Sequence, residues 1–208
     1  MQKLFFLFLA VVLSTHSNIY GQSENHNATS SYTILFIGNS LTYTNNLPQL
    51  VKKYGKQKGI RIKTKMVAYP NYSIEDHWND KQIQRLITNR KYNFVIIQQG
   101  PSSRSNGRKM LIDYGKKYKT LCDTNESKLC YFTVWPSLTY YHTFEAVIEN
   151  YKEGATTNNS ILLPVGAVWK AYIDDTKRRE YYGPDGFHPS LRGSKIAAKV
   201  IVDTLFPQ

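Results

Sequence analysis

From about residue 32 to the end of the chain, short apolar runs alternate with longer amphipathic stretches. The apolar runs predict strands at Thr33–Ile37, Ile60–Val67, Phe94–Gln98, Tyr131–Trp135 and Ile161–Leu163. The first, third and fifth are apolar nearly throughout, as strands covered on both faces of a parallel sheet should be. The second sets Ile60, Ile62, Thr64 and Met66 between basic residues, an alternation that suits an edge strand. Helices are predicted in the gaps. Ser73-Ile74-Glu75-Asp76 resembles a capping box with Ser73 as N-cap, and Ile74, Trp78, Ile83, Leu86 and Ile87 can form an apolar stripe behind it. A last helix begins at Ser190 and buries Ile196, Ala197, Val200, Ile201 and Leu205. No repeat, linker or low-complexity block interrupts this alternation. The prediction is an α/β fold, a five-stranded parallel sheet between helical layers.

Open α/β sheets bind ligands beyond the carboxyl ends of their strands, so polar residues placed there carry the candidate chemistry. The first strand stops at Gly38-Asn39-Ser40, Asn71 follows the second, and Gln98 ends the third. Asp185 stands three residues before His188, just ahead of the last helix. Ser40, His188 and Asp185 are a nucleophile, a base and an orienting acid, the parts of a serine hydrolase. Ser40, His188 and Gln98 each have an ordinary reading when taken alone: a helix-capping serine, a half-exposed loop histidine and a strand-end amide. Their common placement on one rim favours the catalytic reading. His77 falls in the capped helix and is expected to pack or bond locally.

These residues resemble the SGNH hydrolases, the GDSL-type esterase and lipase superfamily, in a branch with a Gly-Asn-Ser first block. The resemblance implies a flavodoxin-like three-layer α/β/α sandwich across residues 32–208. It also implies a catalytic triad of Ser40, His188 and Asp185, the last two within Asp185-Gly186-Phe187-His188-Pro189-Ser190. Asn39 stands where many members have Asp; its side chain can fix the turn. The family's oxyanion hole implies backbone N–H groups from Ser40 and, in place of the usual glycine, Asn71, which tolerates left-handed backbone. Its third donor falls on Gln98, with Gln99 as the alternative, because strand alternation lets one of the two face the pocket. The resemblance implies no metal and no organic cofactor.

The first 21 residues read as an address. Lys3 precedes an unbroken apolar run of ten residues, Leu4 to Leu13, too short for the roughly 20 that span a bilayer. A cleaved secretory signal fits it, followed by a polar lead-in over residues 22–31, and the expected location is exported, periplasmic or secreted. The formal charge is +12, gathered in Lys52 to Lys65 and in Arg104 to Lys119. Export and the absence of any nucleic-acid-binding motif exclude nucleic acid as a partner. Solvated helix faces account for most of this charge, and attraction to an anionic polysaccharide is the functional alternative. Cys122 and Cys130, the two cysteines, lack neighbouring ligands for zinc, and a disulfide between them is expected in an exported chain.

Aromatic residues expected at the rim (Tyr69, Tyr72, Trp135, Tyr140, Tyr141, Tyr181 and Tyr182) favour a sugar-facing cleft, and no long apolar insertion offers a lipase-like lid. The expected function is therefore a secreted serine esterase acting on short-acyl, above all acetyl, esters of a carbohydrate. Its partner is a small-molecule or polysaccharide ester, with no stable membrane insertion once the signal is cleaved. Two alternatives keep the fold: an envelope-glycan O-acyltransferase with the same triad, and an inactive glycan-binding protein.

Overall fold

A computed structural model describes residues 31–207. The signal sequence and all of the lead-in except Ser31 lie outside the described residues. Ser31 itself already belongs to the first strand. Among the described residues no helix is long and apolar enough to cross a membrane.

Five strands form one parallel sheet: β1 (Ser31–Gly38), β2 (Arg61–Ala68), β3 (Phe94–Ile97), β4 (Lys128–Phe132) and β5 (Ile161–Leu163). Their spatial order is β2-β1-β3-β4-β5. The chain steps from β1 outward to β2 and then returns across β1 to β3, which creates a switch point between β1 and β3. Crevices at such points are where open α/β sheets bind ligands.

Helices cover both faces. α1 (Ser40–Tyr43) is a single turn leaving β1, and α2 (Leu47–Gln57) leads to β2. α3 (Ile74–Asn79) and α4 (Gln82–Asn89) join β2 to β3, and α5 (Ser105–Thr124) joins β3 to β4. α6 (Phe144–Thr157), α7 (Val165–Thr176) and α8 (Leu191–Leu205) complete the chain. α2 packs on α8, whereas α5 packs on α6 and is flanked by α3 and α4. The result is the three-layer α/β/α sandwich expected from the sequence. Its core is the sheet itself: Ile34 to Ile37 and Val95 to Ile97 are almost wholly shielded from solvent.

β2 lies at an edge, as its alternating pattern predicts, with Arg61, Lys63 and Lys65 exposed and Ile62 and Val67 buried. β5 lies at the opposite edge rather than in the interior, and two of its three residues are only half-buried. β4 begins and ends three residues earlier than predicted. The apolar run continues through Thr133, Val134 and Trp135, but there the chain has left the ladder. Trp135 instead stacks on Trp169, with ring centroids 3.6 Å apart, inside the core.

The capping box forms as read: the Ser73 side chain accepts from the Asp76 N–H, and the Asp76 carboxylate accepts from the Ser73 N–H. The apolar stripe behind it is split between two helices, because Lys81 takes a left-handed conformation with φ 57°. Cys122 and Cys130 are free thiols, both buried, and not the expected disulfide. Burial among apolar neighbours pushes the Cys122 thiol up to about 12 and raises Cys130 as well, so neither presents a thiolate.

Candidate active site

β1 delivers Gly38 and Asn39 to the carboxyl rim, and Ser40 opens α1. Asn39 caps this turn: its backbone is extended, and its Oδ1 accepts the Leu41 N–H at 3.1 Å. Its Nδ2 donates to the Tyr72 carbonyl at 3.0 Å, tying the Ser40 turn to the loop after β2. Asn39 therefore fixes the turn as expected. The Ser40 N–H donates to no described residue.

The segment 183–189 brings the base. Gly186 adopts φ 67°, a left-handed turn open to glycine, which folds Asp185 back toward His188. The Asp185 Oδ1 accepts the backbone N–H groups of Phe187 at 3.0 Å and His188 at 2.9 Å. Its Oδ2 meets His188 Nδ1 at 2.5 Å. The bond to His188, followed by the Phe187 N–H, holds the Asp185 carboxyl below the usual carboxylate range. Across the crevice, His188 Nε2 lies 3.0 Å from Ser40 Oγ. With Nδ1–H donated to a carboxylate, Nε2 is left as an acceptor toward the hydroxyl.

Core aromatic residues anchor this loop. Trp135 Nε1–H donates to the Phe187 carbonyl at 2.9 Å, Tyr182 Oη–H to the Pro136 carbonyl at 2.9 Å, and the Leu138 N–H to the Gly186 carbonyl at 2.8 Å. Tyr181 and Tyr182 are buried with Trp135, so these three are supports beneath the rim and not sugar-stacking faces. Tyr140 and Tyr69 are the exposed ones. The His188 and Asp185 side chains remain 39% and 51% exposed, an open site among the described residues.

Gln98 is not free for the oxyanion role expected of it. It is fully buried, and its Oε1 accepts from the Asn39 N–H at 2.9 Å and the Thr42 hydroxyl at 2.8 Å. Its Nε2 donates to Asn39 Oδ1 at 3.0 Å and to the Gln99 carbonyl at 2.7 Å. One obligate donor and one obligate acceptor fix the amide's orientation, and its two acceptor and two donor positions are filled. The parallel register places Ile37 beside Ile97, so the next side chain on β3 reaches the Ser40 turn from below. Gln99 is buried too and donates to the Gly107 carbonyl.

Asn71, the other expected oxyanion group, does take the left-handed conformation, with φ 61°. It is exposed, and its N–H donates to no described residue. His77 sits under the same loops, buried, with Nε2 2.7 Å from the Gly38 carbonyl. That carbonyl can only accept, so Nε2 carries the proton, and burial lowers the ring below its ordinary value of 6.5. Its partner is 39 positions away, at the very end of β1. His77 and Thr42 thus support the Ser40 turn, a role the sequence does not display.

No family model matches the chain, and no curated protein matches it in sequence. Solved structures do. A candidate SGNH hydrolase from Slackia heliotrinireducens superposes with a TM-score of 0.71 at 21% identity, covering 85% of this chain and all of that one. The chain has the SGNH hydrolase fold. A lipase/acylhydrolase from Enterococcus faecalis shares it with a TM-score of 0.65 and 17% identity over 82% of this chain and 93% of its own. So does an acetylxylan esterase from Geobacillus stearothermophilus, with a TM-score of 0.60 and 16% identity over 85% and 95%. At these identities the likeness concerns the fold.

Proposed function

We propose that the protein is an exported serine esterase that removes short acyl groups, above all acetyl, from a carbohydrate. The observation that carries this reading is the continuous hydrogen-bond chain from Asp185 through His188 to Ser40. Ser40 Oγ attacks the ester carbonyl while His188 Nε2 takes its proton. The carbonyl π pair moves onto oxygen, and the oxyanion accepts from the unpaired N–H groups of Ser40 and Asn71. Collapse of the tetrahedral adduct expels the alcohol, which takes the proton back from Nε2. Water then repeats the sequence on the acyl-serine, releasing the acid and restoring Ser40. Asp185, ionised at neutral pH, holds the ring in the tautomer that leaves Nε2 free and stabilises the imidazolium.

The open rim around His188 and Asp185 supports short acyl groups, and the exposed Tyr69 and Tyr140 support a sugar partner. Acetylxylan esterases among the structural neighbours point the same way. Hydrolysis of p-nitrophenyl acetate tests the reaction: wild type should turn over, and Ser40→Ala and His188→Ala should each lose at least about 10³-fold. An acyl series from acetate to decanoate tests the chain length, and activity rising steadily with length would sink that part.

A further inference from the structure

A cleft of about 670 Å³ opens beside the triad. One wall is the segment after β3, Pro101 to Arg104, and the other is the segment after β4, including Pro136, Tyr140 and His142. Ser40 is not among its lining residues. Phe187 lines it, however, and its ring lies 5.1 Å from that of His188. A group bound in the cleft is therefore next to the base and in position to be the alcohol side of an ester.

The charge of the cleft is one-sided. Arg104 brings a guanidinium and His142 an imidazole, and no Asp or Glu lines the cleft. Among the described residues neither side chain forms an ion pair, although nearby Arg108 is paired with Glu153. Arg104 is also the N-cap of the twenty-residue helix α5, whose first turn has no acidic residue and no side-chain cap. The Gly107 N–H is taken by Asn106 Oδ1 at 2.8 Å, and the N–H groups of Ser105 and Asn106 add to the positive potential. The wall is held firmly, because the buried Asn150 amide donates to the carbonyls of Ser102 at 2.7 Å and Arg104 at 3.3 Å. The hydroxyls of Ser103, Ser137 and Thr143 and the exposed Tyr140 ring complete a surface suited to a sugar.

We propose that this cleft is a subsite for an acidic sugar, with Arg104 receiving a uronate carboxylate in its planar fork and His142 as the second donor. The proposal rests on the esterase reading for its place in catalysis: the acylated unit lies at Ser40, and the uronate lies beside or on it. Neutral xylan-type chains would then be poor ligands compared with acidic ones.

Calorimetric binding of trigalacturonate and of neutral xylotriose to the whole protein tests this without turnover, since neither carries an ester. Trigalacturonate should bind at least about tenfold more tightly, as expected when one charge-assisted contact is added. Raising salt from about 0.05 M to about 0.5 M should erase most of that preference. Ser40→Ala should bind as wild type does, and Arg104→Gln should lose about tenfold for the acidic trimer. Equal affinity for the two trimers, or an Arg104→Gln protein that binds like wild type, would overturn the subsite. Hydrolysis of p-nitrophenyl acetate in the same preparation separates the two claims. Turnover without acidic preference removes the subsite and keeps the esterase, whereas Arg104-dependent binding without turnover keeps the subsite and removes the esterase.

Discussion

Replacing Gln98 with Met keeps a long, unbranched side chain in the same buried space but removes its four hydrogen bonds. Their loss is unequal. Asn39 Oδ1 keeps the Leu41 N–H, and the Gln99 carbonyl keeps the Tyr151 hydroxyl. The Asn39 N–H and the Thr42 hydroxyl lose the only partner each has among the described residues, and both residues are buried. At about 1–3 kcal/mol for each orphaned group, Gln98→Met should cost about 2–6 kcal/mol. For a domain of this size that lowers Tm by about 5–20 °C. The Ser40 turn is built on these groups, so kcat on p-nitrophenyl acetate should fall together with stability. A residue that donated to the oxyanion would behave differently, losing about 10²–10³ in kcat at unchanged Tm. Thermal melts and turnover on one preparation, normalised to the folded fraction, separate the two. Unchanged Tm with a large fall in kcat would refute the role assigned to Gln98.

The same network forbids a side chain at Gly38, where a Cβ would lie 2.3 Å from Gln98 Oε1 and 2.4 Å from Thr42 Oγ1. Gly38→Ala should destabilise by about 1–3 kcal/mol in urea melts and lower turnover; a fully stable, active variant would contradict the packing. His77 is held neutral by burial. The unfolded chain therefore takes up a proton, as pH falls below about 6.5, that the folded ring resists. Stability should accordingly be complete above that pH and decline below it. His77→Gln, which can still donate to the Gly38 carbonyl, should flatten this decline between about pH 7 and pH 5, and equal slopes would count against the assignment. Cys122 and Cys130 should react with a thiol reagent only after denaturation, and a mass that rises on reduction of the native protein would show a disulfide instead.

The alternation of apolar and polar positions made the architecture legible, because a strand covered on both faces and an edge strand bury different sets of residues. It misplaced β4, since Trp135 is as apolar as any strand residue but serves a stack with Trp169. It also joined α3 to α4, because an apolar stripe does not reveal that Lys81 turns left-handed. At the rim, spacing located Ser40, Asp185 and His188, whose distances the structure then supplies. Gln98 and Gln99 were less legible. Alternation ends with β3 at Ile97, and both amides turn inward. Gln98 meets Asn39, Thr42 and the Gln99 carbonyl, and Gln99 meets the Gly107 carbonyl, partners that a sequence does not display. His77 was hidden for a related reason: it lies on α3, and its partner, the Gly38 carbonyl, ends β1, 39 positions away.

Labelling of the purified protein with a fluorophosphonate, followed by peptide mapping, tests the central claim most directly. The account predicts one modified residue, Ser40, with labelling lost in Ser40→Ala and strongly slowed in His188→Ala. A folded protein whose Ser40 takes no label, or takes it equally well without His188, would contradict it.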